Sequence, residues 1–210
     1  MTAASELSVG GINVSRETFD TLVAYEALVR RWNQAINLVS KSSLDSIWSR
    51  HILDSAQIFS HCPPDARTWA DLGSGGVFPG IVIAILAKEL KPDLRVTLVE
   101  SDLRKATFLR QTASTLKLPL VVLSSRIEAV EPLEADVLSA RALASLSELL
   151  AFSSVHLSKG GTAIFPKGAR YKDELVEAQR SWTFDVDIQQ SLSEGEAAIL
   201  VIRNIHRAND

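Results

Sequence analysis

The residues best suited to do chemistry lie between Asp71 and Gly80, where several glycines and one proline occur close together. An apolar run that ends at Thr68-Trp69-Ala70 precedes this stretch, and a helix-like run from Ile81 to Leu90 follows it. A glycine-rich turn between a strand and a helix lets the backbone approach a nucleotide-like ligand without side chains in the way. The stretch therefore predicts a turn that binds such a ligand.

Glu100 and the segment Ser124-Ser125-Arg126-Ile127-Glu128 are the next candidates, because each follows a strand-like run. In a sheet of parallel strands the ligand binds outside their carboxyl ends. Glu100 follows Gly80 by about 20 residues, the spacing at which an acidic residue accepts hydrogen bonds from both ribose hydroxyls. In the later segment we expect Ile127 to flank an adenine ring and Glu128 to cap the following helix.

The elements that must position these residues follow from an alternation of strand-like and helix-like segments, which begins at Thr68. The predicted strands are 68–72, 95–100, 120–124, 136–140, 161–166, 184–190 and 197–204, and the predicted helices are 80–90, 102–116, 143–157 and 171–181. This alternation predicts an α/β fold, with a Rossmann-like, mostly parallel seven-stranded sheet covered by helices on both faces. The short polar link 191–196 predicts a final hairpin, and therefore an antiparallel strand near one edge.

The chain before this alternation predicts a helical extension over residues 1–64, in front of a Rossmann-like domain at 65–210. Residues 1–11 are small and polar, and we expect them to be frayed. Ser15 is the predicted cap of a first helix and Ser43 of a second, because apolar residues follow both at helical spacing.

Two cofactors, NAD and S-adenosylmethionine, fit a glycine turn combined with an acidic strand end. Asp71 precedes the first glycine, so we expect its carboxylate to face the ligand, where it suits a cationic methionyl group and repels a pyrophosphate. Pro79 offers no backbone N–H at the helix start, where a pyrophosphate-binding turn would donate one. Asp71 and Pro79 therefore favour S-adenosylmethionine, with Gly73 and Gly75 at the closest backbone approach.

The composition limits the other possibilities. The single cysteine, Cys62, excludes an internal disulfide, which fits a reducing cytosol. No window holds the roughly 18 consecutive apolar residues of a membrane span, and residues 1–11 lack the pattern of a secretory signal. His51 and His61 are not at a metal-ligand spacing. We therefore expect a cytoplasmic protein without a metal site. The net charge of −3 means that any contact with RNA needs a local basic patch.

Several motifs, taken in order, resemble the ribosomal small-subunit methyltransferase G family, which is also called the glucose-inhibited division protein B family. They are the glycine turn, Arg50-His51-Ile52-Leu53-Asp54-Ser55, Glu100-Ser101 followed by Phe108-Leu109-Arg110-Gln111, Ala140-Arg141-Ala142, and Lys167-Gly168 after Phe165-Pro166. The resemblance extends from about Asn37 to the last predicted strand. It implies a class I S-adenosylmethionine-dependent methyltransferase with an N-terminal helical extension.

The resemblance also implies an activity. A bacterial cytoplasmic enzyme of this family transfers a methyl group from S-adenosylmethionine to N7 of one guanine in 16S ribosomal RNA, in a loop near the decoding site. The cofactor contacts implied by the matching motifs are Gly73, Phe78, Ile127, Glu128 and Arg141, to which the residue patterns add Asp71, Gly75 and Glu100. Arg50, His51 and Lys167 are the RNA-binding candidates. We expect the protein to be a monomer whose partner is 16S ribosomal RNA or the small-subunit particle. We expect no contact with a membrane.

Guanine N7 carries an in-plane lone pair and no proton, so methylation there needs no general base. The rate must then come mostly from positioning and desolvation. This agrees with the absence of an obvious proton-transfer pair in the sequence. We expect Arg141, at the tip of the fourth predicted strand, to be the catalytic residue that holds the target nucleotide or the cofactor. Lys167 is expected to contact RNA phosphate.

The chain departs from the family pattern at two places. Gly76-Val77 stands where the family usually has alanine and glycine, and Arg104-Lys105 reverses the usual order of lysine and arginine. A β-branched residue does not readily adopt a positive φ. Either the turn follows a different path, or the position of Val77 needs no positive φ.

Other interpretations remain open at the level of sequence. The chain is alternatively a methyltransferase for a small molecule, an NAD-linked oxidoreductase, or an RNA-binding protein without catalysis. Arg50, His51 and Asp54 are equally suited to link the N-terminal helices to the domain. Lys167 alone is as consistent with a solvated strand end, and Arg141 alone with a salt-bridge partner.

Overall fold

A computed structural model of the protein describes residues 7–75, 77–192 and 195–208. Gly76 lies outside the described residues, and so do residues 1–6 of the segment predicted to be frayed. The helices are α1 Arg16–Asn33, α2 Lys41–Leu44, α3 Leu53–Phe59, α4 Gly80–Leu90, α5 Leu103–Leu116, α6 Leu146–His156 and α7 Tyr171–Ala178. The strands are β1 Leu7–Val9, β2 Ile12–Val14, β3 Thr68–Leu72, β4 Arg95–Val99, β5 Leu120–Leu123, β6 Ala135–Ala140, β7 Leu157–Lys167, β8 Trp182–Gln190 and β9 Ala198–Arg207.

The main sheet has seven strands in the order β5-β4-β3-β6-β7-β9-β8. Strands β3 to β7 run parallel to one another, whereas β9 runs antiparallel to both β7 and β8. The α/β fold, its mostly parallel sheet and its antiparallel strand near one edge are thus confirmed. Because β4 and β6 flank β3, the carboxyl ends of these three strands meet at one edge of the sheet.

The N-terminal segment differs from its prediction. Residues 7–11 are not frayed, because β1 and β2 form an antiparallel hairpin in which Val9 and Val14 are buried. Its turn is Gly10-Gly11, and both glycines have a positive φ. Two adjacent glycines between alternating apolar residues are typical of a β-hairpin turn. The small polar residues around them led to the prediction of a frayed segment instead.

The two predicted helix caps have opposite outcomes. Ser15 caps α1 as predicted, because its side chain accepts a hydrogen bond from the Thr18 N–H. Ser43 does not cap a helix; Ser40 caps the short helix α2, and the Ser43 N–H is its donor. A π-helical turn at Trp48–Ile52 then leads into α3. The π-helical turn holds two of the RNA-binding candidates.

Helix α4 is nearly apolar all round, and residues 80–87 are buried because the helix lies between the sheet and helices α1 and α3. The core on that face unites side chains from both predicted parts of the chain, such as Leu22 and Ile58 with Ile81 and Leu98. The division at residues 64 and 65 stays a prediction. Within the described ranges, no helix is both long enough and apolar enough to cross a membrane.

Candidate active site

The glycine turn begins where β3 ends, and it leads directly into α4. Gly73 and Gly75 have φ values of +59° and +61°, a backbone conformation that residues with a side chain rarely adopt. A Cβ added at Gly73 would lie 2.5 Å from Leu143 Cδ1, so the backbone approaches its neighbour as closely as a glycine permits. Val77 has no positive φ, which answers the question raised by its departure from the family pattern.

A cavity of about 560 Å³ opens above this turn, at the carboxyl ends of β3, β4 and β6. This volume lies in the range of roughly 300–1,000 Å³ that is usual for small-molecule sites. Its lining includes the predicted cofactor contacts Gly73, Gly75, Phe78, Glu100, Ile127, Glu128 and Arg141. We call it the first cavity. The structure thus brings together seven of the eight predicted cofactor residues.

Glu100 follows β4 and lines the first cavity, although only 7% of the residue is exposed. Its Oε1 accepts a hydrogen bond of 2.7 Å from the Asp102 N–H, which fixes the side chain at the strand end. Asp102 in turn caps α5 by accepting from the Arg104 and Lys105 N–H groups. The site therefore offers a carboxylate in a fixed position, as a ribose-binding acceptor requires.

Asp71 is the exception, and the expectation that its carboxylate faces the ligand is wrong. Asp71 is fully buried and does not line the first cavity. Its Oδ1 accepts a hydrogen bond of 2.7 Å from Ser139 Oγ, which itself accepts one of 2.9 Å from Trp69 Nε1. The side chain points beneath the turn towards Gly80, where an added Cβ would lie only 2.8 Å from Oδ2. Gly80 is thus needed to make room for this carboxylate.

Burial raises the pKa of Asp71 to about 6. The Ser139 hydroxyl, the Gly80 N–H and the positive charge of Arg141 lower the pKa and oppose this effect. The buried carboxylate is therefore ionised only in part near pH 6, and its environment depends on Arg141 above it.

Aromatic side chains hold the far end of the turn. The Tyr25 hydroxyl donates a hydrogen bond to the Val77 carbonyl oxygen, and the Tyr25 ring meets the edge of Phe78 at 5.6 Å between centroids. His51 lies 5.0 Å from the Phe78 ring, and the Arg141 guanidinium carbon lies 5.6 Å from the same centroid. Because a guanidinium only donates, the contact of 2.9 Å between Arg141 Nη1 and His51 Nδ1 makes His51 the acceptor.

A second cavity of about 600 Å³ adjoins the first, and both are lined by residues 141–144. All three RNA-binding candidates, Arg50, His51 and Lys167, line this second cavity. Other lining residues are Ser43, Asp54, Pro166, Gly168, Glu174, Ser191, Ala197, Ala198 and Ile199. Residues far apart in sequence therefore meet on one surface beside the predicted cofactor site.

Comparison with known proteins identifies the family. A model of the rRNA small subunit methyltransferase G family matches residues 18–205. The chain belongs to this family. A relative from Ruegeria pomeroyi, the ribosomal RNA small subunit methyltransferase G of that organism, is 51% identical over 93% of this chain and 96% of its own length. A relative of the same name from Parvibaculum lavamentivorans is 48% identical over 92% of this chain and 86% of its own length.

Solved structures support the fold at much lower identity. A SAM-dependent methyltransferase from Aquifex aeolicus superposes with a TM-score of 0.57 at 11% identity, over 85% of this chain and 97% of that one. M. jannaschii TYW2 in complex with AdoMet gives a TM-score of 0.56 at 15% identity, over 83% of this chain and 80% of that one. The rRNA small subunit methyltransferase G family and this fold confirm the prediction of a class I methyltransferase with S-adenosylmethionine as cofactor. NAD is not favoured.

The first cavity fits that cofactor. Its floor is the turn at Gly73 and Gly75, where the lack of side chains leaves backbone exposed to a ligand. Glu100 supplies a buried carboxylate at the next strand end, and Ile127 supplies an apolar surface at the end of β5. Glu128 also lines the cavity. The prediction that it caps a helix is wrong, because the short 3-10 helix at Ile127–Ala129 begins without a side-chain cap.

Lys167 and Arg50, two of the RNA-binding candidates that line the second cavity, differ in how far they are exposed. The Lys167 Nζ donates hydrogen bonds of 2.7 Å to Glu174 Oε2 and 3.1 Å to the Ala144 carbonyl oxygen. Only 10% of the Lys167 side chain is exposed. Arg50 is exposed at the rim of the cavity. Lys167 is therefore a fixed part of the wall, whereas Arg50 is open to solvent.

Sequence reasoning missed several residues of the first cavity. Leu38 and Val39 come from the link after α1, and Lys105 comes from the first turn of α5. Lys105 follows Asp102, whose capping position at a strand end was a usable signal. Leu38 and Val39 carry no such signal, because an apolar pair in a link is equally typical of core packing.

Proposed function

We propose that this protein transfers a methyl group from S-adenosylmethionine to N7 of a guanine in 16S ribosomal RNA. The observation that carries this proposal is the junction of the two cavities at Arg141. One cavity fits the cofactor, and the adjoining one is lined by Arg50, His51 and Lys167. We further infer that the protein acts as a monomer in the cytoplasm.

The cofactor, when bound, supplies an electrophilic methyl group on a sulfonium. The turn at Gly73 and Gly75 would allow close backbone approach at the end of β3, and Glu100 would accept hydrogen bonds from the ribose hydroxyls. Ile127, which lines the same cavity as Glu128, would pack against the adenine ring. Phe78 closes the turn under Arg141. Each of these contacts orients a ligand and none moves a proton.

Guanine N7 presents its lone pair without losing a proton, so the protein has to align the base and exclude water. Arg141 lines both cavities and is the residue placed to hold the target nucleotide against the cofactor. Its contacts with His51 and Phe78 restrict its rotamers. A positioned guanidinium is a suitable partner for a phosphate or a base edge.

RNA is the substrate class that agrees with the second cavity. The chain carries a net charge of −3, so it lacks the general basic surface of a nucleic-acid coat protein. Three basic side chains, Arg50, Arg141 and Lys167, instead line one local cavity beside the cofactor site, and Lys167 is ion-paired there with Glu174. A local patch of this kind contacts a few phosphates around one target nucleotide.

Tritiated methyl transfer tests the proposal. The substrate is 16S ribosomal RNA from a strain that lacks the endogenous enzyme, supplied either naked or in small-subunit particles, and the labelled base is then mapped. We expect label at guanine N7 and a rate that falls steeply with salt, because phosphate contacts release counterions. Incorporation into neither substrate, or label at another atom, would overturn the proposal.

A further inference from the structure

Helix α1 touches the first cavity indirectly at two places, although neither of the residues responsible lines it. Asn33, the last residue of α1, contacts the link that contains Leu38 and Val39. Tyr25, in the middle of α1, contacts the glycine turn at Val77. Both link residues and Val77 line the cavity. We propose that Asn33 and Tyr25 are positioning residues, through which α1 sets the affinity of the cofactor cavity.

The Asn33 contact orders the link. Its Oδ1 accepts hydrogen bonds of 2.8 Å from the Leu38 N–H and 2.9 Å from the Val39 N–H. One side-chain oxygen therefore fixes two consecutive backbone groups in a segment that has no regular structure. Both residues that it fixes line the first cavity.

The end of α1 that carries Asn33 is itself packed against α5. Trp32, the residue before Asn33, meets the edge of Phe108 in α5 at 5.6 Å between ring centroids. The first turn of α5 carries Lys105, which also lines the first cavity. Asn33 thus holds the link at a fixed point relative to α5 and the strand end that α5 follows.

The Tyr25 contact orders the opposite element, the glycine turn. Tyr25 is fully buried, its hydroxyl donates to the Val77 carbonyl oxygen, and its ring packs against Phe78. Burial raises the pKa of Tyr25, so the hydroxyl keeps its proton and remains a donor at neutral pH. The turn is therefore held from α1 just after the two glycines that approach the ligand.

Preorganised walls increase affinity because less conformational entropy is lost when the ligand binds. Loss of the Asn33 acceptor frees both link N–H groups, and loss of the Tyr25 donor frees the Val77 carbonyl. Each change lets one wall of the cavity move. This inference rests on the proposed function only because it takes S-adenosylmethionine as the ligand of the first cavity. It requires no contact with RNA.

Three variants test the inference by isothermal titration with S-adenosylmethionine and by steady-state methyl transfer. Asn33→Ala removes the acceptor, whereas Asn33→Asp keeps an oxygen at the same place and serves as the matched control. Tyr25→Phe keeps the packed ring and removes only the hydroxyl. We expect Asn33→Ala and Tyr25→Phe each to raise the cofactor dissociation constant about 3- to 10-fold. Asn33→Asp should restore most of the affinity.

The steady-state constants separate positioning from general support of the fold. KM for S-adenosylmethionine should rise in parallel with the dissociation constant, whereas KM for RNA should stay at the wild-type value. Should Asn33→Ala not fold, Tyr25→Phe still decides the matter. A lower melting temperature with unchanged cofactor affinity in Tyr25→Phe would overturn the inference, as would equal losses in Asn33→Ala and Asn33→Asp. Wild-type protein that binds no S-adenosylmethionine would instead refute the proposed function.

Discussion

The two cavities that meet at Arg141 are built in different ways. The first is formed largely by segments that follow the ends of β3, β4, β5 and β6, with backbone at Gly73 and Gly75 and a fixed carboxylate at Glu100. The second is lined by residues from the π-helical turn at Trp48–Ile52, the segment 141–144 that both cavities share, the end of β7, helix α7 and the start of β9. Recognition of the cofactor is thus mostly local to the strand ends, whereas the RNA candidates depend on contacts between distant parts of the chain.

The difference predicts which kinetic constant each cavity controls. A change confined to the first cavity should alter the affinity for S-adenosylmethionine, and a change confined to the second should alter the affinity for RNA. Arg141 lines both, so its loss should affect the chemical step itself. Three substitutions test this division, and a fourth tests the interior below the first cavity.

Gly73→Val should have the largest effect. Valine is strained at a φ of +59°, and its Cβ would stand 2.5 Å from Leu143 Cδ1. Strain of this kind costs about 1–3 kcal/mol, and the side chain also blocks the ligand, so we expect cofactor affinity to fall by about 1,000-fold. Isothermal titration measures the loss. Gly168→Ala is the matched control, because a Cβ there meets nothing within 4 Å and the residue lines the second cavity. Undiminished affinity in Gly73→Val would sink the assignment of the first cavity.

Arg141→Ala should leave the protein folded and reduce kcat/KM for methyl transfer by about 100-fold, since misplacement of a reacting group costs about that much. Arg141 is only half-buried and its guanidinium lies over Phe78, so its loss opens no core cavity. Tritium incorporation gives the rate, and circular dichroism confirms the fold. Full activity in this variant would remove Arg141 from the site.

Asp71 tests the interior below the first cavity. Its pKa rises from 3.8 to about 6 on folding, so the folded protein retains a proton that the unfolded chain has lost. The contribution of Asp71 to the free energy of unfolding should therefore decline as pH rises from about 4 to 6, by about 2–3 kcal/mol in total. Asp71→Asn removes this titration. Urea unfolding from pH 4 to pH 7 should show the variant gaining stability relative to the wild type across that window; parallel curves would contradict the raised pKa.

Arg50→Ala should have the smallest effect. Arg50 is exposed at the rim of the second cavity, so loss of one phosphate contact should raise KM for RNA about 3-fold and reduce the salt slope by about 1. Cofactor affinity should not change. Arg67→Ala is the control, because Arg67 pairs with Asp93 at the amino end of β3, the opposite edge of the sheet. Equal effects of the two substitutions on RNA binding would remove Arg50 from the interface.

The sequence predicted the strands and helices of the sheet closely where the signal is local. Residues 68–72 and 80–90 match β3 and α4 at both ends, because an apolar strand, a glycine turn and an apolar helix follow one another without a gap. The hairpin at the N-terminus was missed, since its Gly10-Gly11 turn lies among small polar residues. Helix capping at Ser40 rather than Ser43 was missed because three serines lie within four residues of one another.

In the candidate site too, residues with a local sequence signal were predicted, and residues placed by contacts between distant segments were not. Glu100 and Ile127 were found because strand ends converge in a parallel sheet, wherever the rest of the chain goes. The direction of the Asp71 side chain was mistaken because it depends on Ser139 and Gly80, which only the folded sheet brings beside it. Leu38 and Val39 were missed because Asn33 and α1 carry them to the cavity.

The sequence by itself therefore determined the family, the mostly parallel sheet and the cofactor turn, since periodicity, glycine positions and motif order are properties of short segments. The tertiary structure decided that Asp71 lies beneath the turn, that Lys167 is paired with Glu174, and that Arg141 joins two cavities. These facts depend on which side chains meet across the sheet and the N-terminal extension. Contacts of that kind are fixed by packing and burial, which no short segment of the chain specifies alone.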